Sequence, residues 1–543
     1  MQAGRQVAVV GCGVAGLVAI KSCLEEGLEP TCFEMRSDIG GLWYPADEQY
    51  INLGPGMYDS LITNTSKAMM CFSDFPCPAH YPPYLPHRLY LQYLHIYTDH
   101  FHLREHIHFN TKVVNVHKHD DYSKNGRWVV VKETKTNSGE TKQEGLEFDC
   151  VMLCQGFYRI PRSPKIAGMD SFVGGVIHAQ KYRRPEPYRN KTVLVFGNAA
   201  SAGDISVDIA SVAKQVYLCI GDGALNISRL HNGRTPLDFR IRRALFYSVP
   251  SWLAMRAVLH SVRKWLDPVC SGLDPNPSRP LAQIHLVIND QLPFKIITGQ
   301  VKVVGHVKSL EHDKAHLEDG TTLHDLDEIV FATGYEHDFH AVDSSVISPD
   351  PDGEKLELFK MAFPLSQEHD TLALIGCLRA NGPIPPILES QARLAARVMA
   401  GRHKLPDQAT MKRDVDHMNK KLLERHGRYN YSFHYLLMCD DICTELGAQP
   451  VWWRLLLRGD LQMALAVLFG PAHPFHYRLM GPGAWGGARQ ATLRAYNETV
   501  FSIQHRRVDK SVSRMSATRF PKVFLQICIL VAAVFVAFWH CGY

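Results

Sequence analysis

The sequence predicts an α/β fold built from two Rossmann-type dinucleotide-binding domains, with a transmembrane helix at the C-terminus. Three observations predict it. A short apolar strand runs into Gly11-Cys12-Gly13-Val14-Ala15-Gly16 and then a helix; a second strand, Thr192 to Phe196, runs into Gly197 and another helix; and an uncharged apolar run closes the chain. The 543 residues, 46% hydrophobic and 21% charged, describe a globular chain with a large core. That length suggests about three or four domains. With 59 Lys and Arg against 54 Asp and Glu, the net charge of +5 is too small to argue for nucleic acid. The 14 cysteines are scattered with no C-x-x-C pair, which argues against zinc ribbons, disulfide reductases and a disulfide-stapled secreted scaffold. A reducing compartment fits this usage.

The first fold is the more regular of the two. Gln6 to Val10 reads as a buried parallel strand, Leu17 to Glu26 as the helix after the glycines, and Glu29 to Glu34 as the second strand. Gly11 permits the tight turn, Gly13 lets backbone approach a pyrophosphate, and Gly16 allows the helix to pack closely on the strand. The helix N-terminus, opened by Val14 and Ala15, offers N–H groups and a positive dipole end to phosphate. Glu34 lies 18 residues after Gly16, where an acid accepts a ribose hydroxyl pair. Just beyond it, Gly40 and Gly41, followed by Leu42 and Trp43, form a turn whose backbone can lie against a cofactor.

Two segments, FEMRSDIGGLW from Phe33 and SLITNTSKAMMCFSDFP from Ser60, resemble the flavin-containing monooxygenases of animal endoplasmic reticulum, the dimethylaniline monooxygenase type. The resemblance extends from Val7 through LMGPGAWGGAR at Leu479 into the C-terminal run. It implies that the first fold binds FAD and that Asn64 is the catalytic residue beside the flavin ring, with Thr65 and Gly40 to Trp43 among the cofactor contacts. Without the resemblance, Asn64 is a polar loop residue.

The second fold departs from its pattern. Aligned on Gly197, the other two glycine positions are Ala199 and Ala202. Alanine at the third position touches only packing, whereas a methyl group at the second intrudes where backbone meets pyrophosphate; Ser201 and Gly203 are the nearby compensations. The next strand is expected over Gln215 to Ile220, and no acid stands 23 residues after Gly197. The resemblance implies NADPH here, held by an arginine at the position of Gly221. This chain has Gly221-Asp222, and Lys214 and Arg229 are the nearest basic candidates for a 2′-phosphate, so NADH is expected as an alternative donor. Upstream, Phe172, Gly174, His178 and Tyr182 fit the F-x-G-x-x-x-H-x-x-x-[YF] fingerprint that the family shares with its Baeyer–Villiger relatives. His178 is expected to be a packed linker residue, not a catalytic base. Thr333 and Gly334, in Ala332-Thr333-Gly334-Tyr335, and Cys154-Gln155-Gly156 mark where the chain passes between the two folds.

The domain expectations are therefore 1–156 with 325–440 for FAD, 157–324 for the nicotinamide nucleotide with an insertion at about 225–290, and 441–505 as a cap. A basic linker, 506–522, and an anchor helix, 523–540, complete the chain. Only four successive apolar residues, Val7 to Val10, precede Gly11, too few for the apolar core of a signal peptide. At the other end, Val523 to Trp539 is a run of 17 uncharged residues, about 25 Å as a helix and just long enough for a bilayer. Residues 505–522 carry six basic groups and one acid, which is the whole of the +5 excess. The positive-inside rule then keeps the catalytic part on the cytosolic side of the endoplasmic reticulum membrane, with the sequons at Asn64, Asn190, Asn226, Asn430 and Asn497 unmodified. Val451 to Phe469 is also apolar, but Arg454, Arg458 and Asp460 make it a core or membrane-lying helix. The histidines at 95, 100, 102, 106 and 108 lack partner ligands, so no metal is expected, and Cys439 and Cys443 read as core.

On the resemblance, NAD(P)H reduces FAD, O₂ adds to give a C4a-hydroperoxyflavin, and one oxygen atom passes to the soft N or S centre of a small amine or sulfide, as in xenobiotic oxygenation. Such a nucleophile needs no general base, and the sequence carries no acid–base constellation. Baeyer–Villiger oxygenation of ketones, an uncoupled NAD(P)H oxidase and a silent flavoprotein stand as alternatives, and an oligomer is compatible with all of them.

Overall fold

The computed structural model describes residues 4–504 apart from 46–53, 55, 136–140, 157, 232–234, most of 251–285, parts of 337–354, and 428. The expected linker and anchor, 506–540, lie outside the described residues, as does part of the insertion at 225–290. Among the described residues, ten strands build two parallel sheets. In chain order they are β1 (Gln6–Val10), β2 (Glu29–Phe33), β3 (Ile107–His108), β4 (Cys150–Leu153), β5 (Gly175–His178), β6 (Thr192–Phe196), β7 (Gln215–Cys219), β8 (Val301–Val304), β9 (Glu328–Phe331) and β10 (Leu372–Leu374). The first sheet has the order β10-β4-β1-β2-β3 and the second β8-β7-β6-β9-β5. Every neighbouring pair is parallel. The central strands β1, β4, β6 and β9 are almost wholly buried, as strands covered on both faces are. All strands of the second sheet lie between β4 and β10 in the chain, so the first sheet is closed by a strand that arrives after the second is complete.

Helices pack on these sheets and build the C-terminal cap: α1 (Val14–Glu25), α2 (Ala200–Ile209), α3 (Pro385–Met399), α4 (Tyr435–Leu446), α5 (Trp452–Leu457), α6 (Leu461–Phe469) and α7 (Ala488–Gln504). The first sheet, α1, α3 and α4 share one apolar core, in which Cys439 and Cys443 are buried as expected. The second sheet has an apolar cluster on each face, one around Val193, Val195 and Ile205, the other around Leu194, Leu310 and Ile329.

The run Val451–Phe469 is not one helix. Gly459 turns with φ +79°, Asp460 caps α6 by accepting the Met463 N–H at 3.0 Å, and the segment folds as the two short helices α5 and α6. Leu455, Met463 and Val467 face inward, while Trp452, Trp453, Leu457 and Leu461 remain exposed. Among the described residues, no helix is long and apolar enough to cross a membrane.

A buried charge network ties the C-terminal cap to the first fold. Arg478, only 1% exposed, lies 3.0 Å from Glu389, 2.9 Å from Asp74 and 3.3 Å from Glu25, and its Nε donates to Ser73 Oγ at 2.8 Å. Lys21, on α1, pairs with Glu25 and Asp74. Burial works against ionising Glu389, but Arg478, Lys21 and Arg393 together hold its carboxyl below the usual range. Removing one cation strands buried carboxylates. Arg478→Met is therefore expected to cost about 3–5 kcal/mol, read as a lower urea midpoint.

Candidate functional site

The first glycine loop is shaped by contacts that leave no room for a Cβ. A Cβ on Gly16 would lie 2.0 Å from Gly11 O, so α1 sits directly on the end of β1. Gly11 has φ +95°, and a Cβ there would lie 2.8 Å from Cys154 O. Gly40 and Gly41, at φ +121° and +54°, open a short 3₁₀ turn through Leu42 and Trp43, and a Cβ on Gly41 would lie 2.7 Å from Gly13 Cα. The two glycine segments are thus packed backbone to backbone, fixed by the Gly40 N–H donating to Cys12 O at 3.1 Å and by Arg36 donating to Gly41 O. Trp43 covers Tyr90, with ring centroids 4.4 Å apart.

Helix α1 begins at Val14 with Ala15 beside it, and its N-cap, Gly13, supplies no side-chain acceptor, so no side chain caps the first-turn N–H groups. Glu34, one residue beyond β2, is buried; its Oε2 accepts the Cys12 N–H at 2.7 Å and its Oε1 the Arg36 N–H at 2.9 Å. Burial raises its pKa, and these N–H bonds oppose the rise. Each oxygen keeps a lone pair for a ribose hydroxyl. A cradle closed to any Cβ, an uncapped helix and an acid at the strand end fit the adenosine diphosphate half of FAD.

Asn64 and Thr65 are half-buried on the loop before Ser66. The insertion grips this loop. Arg229 donates from Nη2 to Asn64 Oδ1 at 3.1 Å and from Nε to Thr63 O at 3.2 Å, while Asp290 holds its Nη1 at 3.0 Å. Arg229 can only donate, so the Asn64 amide must turn its oxygen to the guanidinium and its NH₂ away from it. Asp238 accepts the Ser66 N–H at 2.6 Å. Arg229 is therefore not at the 2′-phosphate position expected of it, and Lys214 precedes β7, at the end of the sheet opposite the glycine loop. Arg229, Asp238 and Asp290 had no local signature in the sequence, since their partners lie 61 to 172 residues away.

The second glycine loop repeats the first with alanine at its second and third glycine positions, Ala199 and Ala202. Gly197 has φ +145°, and a Cβ there would lie 2.5 Å from Ala332 O and 3.0 Å from the Ala202 methyl, which is buried. Ala199 is the N-cap of α2 at φ −124°, ordinary for alanine, and offers no side-chain cap. The backbone tolerates it, and the first-turn N–H groups, with exposed Ser201 among them, keep an anion-binding end. Asp204, one turn on, accepts from Tyr58 at 2.7 Å and from Asn289 at 2.6 Å, which joins α2 to the loop ahead of Asn64 and to the end of the insertion.

The fingerprint residues build the passage between the sheets. A Cβ on Gly174 would lie 2.4 Å from Asp327 O and 2.5 Å from the Phe172 ring. His178 Nδ1 accepts the Gln180 N–H, so its Nε2 carries the proton and donates to Gly334 O at 3.1 Å. Burial pushes its pKa below the usual histidine value. Tyr182 donates to Asp208 Oδ2 at 2.7 Å, and Thr333 Oγ1 donates to Arg162 O.

A family model described as flavin-binding monooxygenase-like matches residues 4–539. The chain is 36% identical over 541 residues to flavin-containing monooxygenase 1 of Homo sapiens, covering 97% of this chain and 98% of that one. It is 35% identical over 544 residues to dimethylaniline monooxygenase [N-oxide-forming] 2 of Cavia porcellus, covering 98% of each. Among solved structures, S-allyl-L-cysteine S-oxygenase from Allium sativum shares the fold with a TM-score of 0.62 at 23% identity, over 91% of this chain and 99% of that one.

Asp238 gives the loop a pH signature. Burial, opposed by the Ser66 bonds, raises its pKa from 3.8 to about 6. A carboxyl raised on folding costs stability when ionised, and that cost is relieved as pH falls from above the folded pKa towards the unfolded one. Wild type should therefore gain about 2–3 kcal/mol relative to Asp238→Asn between pH 7 and pH 4, measured by urea unfolding at each pH.

Proposed function

The chain belongs to the flavin-containing monooxygenase family, and within it we propose an FAD-dependent, NADPH-using oxygenase of soft nitrogen and sulfur centres in small molecules. FAD, when bound, takes a hydride from the nicotinamide nucleotide and activates O₂ so that one atom passes to substrate. The single observation that carries this reading is the Asn64 amide, fixed by Arg229 so that its NH₂ is a preoriented donor; that this donor faces the flavin is what the family resemblance implies. Gly11, Gly13, Gly16, Glu34 and Gly40 to Trp43 hold FAD, and Thr65 continues the Asn64 edge of its site. Gly197, Ala199, Ser201 and Ala202 hold the nicotinamide nucleotide, and Thr333 and Gly334 line the passage back. On this reading residues 1–156 with 325–440 are the flavin domain, 157–324 the nucleotide domain and 441–505 the cap. NADH serves as a second donor, since Gly221-Asp222 stands where an arginine would hold the 2′-phosphate.

The names of two relatives, N-oxide-forming and S-oxygenase, support nitrogen and sulfur as the acceptors. We further infer an anchor at 523–540 behind the basic linker, holding the enzyme on the cytosolic side of the endoplasmic reticulum membrane. The exposed Trp452, Trp453, Leu457 and Leu461 beside Arg454 and Arg458 have the composition of a surface that lies on lipid.

The FAD-loaded enzyme, given NADPH, O₂ and in turn a thioether, a tertiary amine and a cyclic ketone, is expected to yield sulfoxide and N-oxide without lactone. Asn64→Ala should lower sulfoxide formation about 100-fold while NADPH oxidation continues with release of peroxide. Lactone alone would establish the Baeyer–Villiger reading, stoichiometric peroxide from wild type the oxidase, and no bleaching by either nucleotide the silent flavoprotein.

A further inference from the structure

The end of β7 faces the end of the nucleotide that distinguishes NADPH from NADH. In a parallel sheet of this kind the residue beyond the second strand reaches the adenosine ribose, as Glu34 is placed to do beyond β2. Beyond β7 the chain turns through Gly221, at φ +57°, into Asp222. A Cβ on Gly221 would lie 3.0 Å from His306 Cε1, so the imidazole fills the space that a longer side chain at 221 would need. His306 comes from the turn after β8, and its Nε2 lies 3.3 Å from Asp222 Oδ1. Its backbone is fixed from both sides: Glu318 N–H donates to His306 O at 3.0 Å, and Cys219 Sγ donates to Gly305 O at 3.0 Å.

An acid–imidazole pair therefore stands where a guanidinium would hold a 2′-phosphate. We propose that Asp222 and His306 together determine the choice of nicotinamide nucleotide and make that choice depend on pH. This rests on the reading of the second fold as the nicotinamide site. With the imidazole neutral, the pair carries one negative charge; it accepts the 2′- and 3′-hydroxyls of NADH and repels a 2′-phosphate. With the imidazole protonated, the pair carries no net charge, and the ring offers N–H donors to the phosphate. Among the described residues, the charged groups on the flanking elements include Lys302 on β8, whose Nζ lies over the Tyr217 ring at 5.9 Å, and Lys308 and Glu318 on the hairpin that follows.

The test is equilibrium binding of NADP⁺ and NAD⁺ to the oxidised, FAD-loaded enzyme by calorimetry from pH 6.0 to 8.5, with visible absorbance of the flavin reporting that each variant is folded. The ratio Kd(NADP⁺)/Kd(NAD⁺) is expected to rise about tenfold with pH in wild type. His306→Ala should remove most of this rise and keep the ratio near its alkaline value, and Asp222→Asn should lower it at every pH. The His306 variant also removes the imidazole while leaving the phosphate's own titration in place. A wild-type pH dependence that persists unchanged in His306→Ala would overturn the proposal, as would a ratio indifferent to Asp222→Asn. Binding of neither nucleotide to a flavin-replete enzyme would overturn the nicotinamide reading itself, and the proposal with it.

Discussion

The contact on which the rest of the first fold depends is the approach of α1 to the end of β1, where Gly16 lies so close to Gly11 O that a Cβ would overlap it at 2.0 Å. That approach aims the uncapped first turn of α1 along the strand axis. It also places Gly13 where Gly41 can pack on it without side chains between them. Glu34 completes the arrangement by accepting N–H groups from Cys12 and Arg36, one on each glycine segment's side. Arg478 reaches the same helix from the C-terminal side through Glu25, which is why a residue far along the chain supports the glycine loop.

A second constraint joins the two folds. The loop from Thr63 to Ser66 belongs in sequence to the first fold, but its polar groups are held by Arg229 and Asp238 from the insertion. The Asn64 amide has one orientation only because the group facing it has no acceptor. Tyr58 and Asn289 meet at Asp204 on α2, so movement of the nucleotide helix would be felt at the loop that carries Asn64. The insertion, which carries no motif, thus positions the residue whose role the family resemblance implies.

Strands β1, β2, β6 and β7 were legible to within about a residue, because a buried parallel strand is a short apolar run, whereas β3, β5, β8 and β10 were not read from the sequence. The glycine positions were legible for the same local reason, although that Gly41 packs on Gly13 required the fold. Arg229 was not legible: from its place after β7 it is a phosphate ligand, and only the tertiary structure turns it to Asn64. The run Val451–Phe469 was half legible. Its charges excluded a span, but Gly459 and Asp460 divide it into two short helices, and hydropathy alone does not reveal such a break. The fingerprint histidine reads as structural at both levels, since its two ring nitrogens are occupied by backbone partners.

The two departures of the second fold act on different parts of the nucleotide. Ala199 adopts its N-cap conformation without strain, and α2 keeps its free first-turn N–H groups, so the pyrophosphate end loses clearance without losing its dipole. The substitution at Gly221-Asp222 leaves the pyrophosphate untouched and changes only what meets the ribose. An arginine restored at 221 would have to adopt a left-handed backbone and displace the His306 imidazole, which lies 3.0 Å from the Cβ position. If the second fold holds the nucleotide as proposed, the turns after β7 and β8 act together at this end, since His306 from one meets Asp222 from the other.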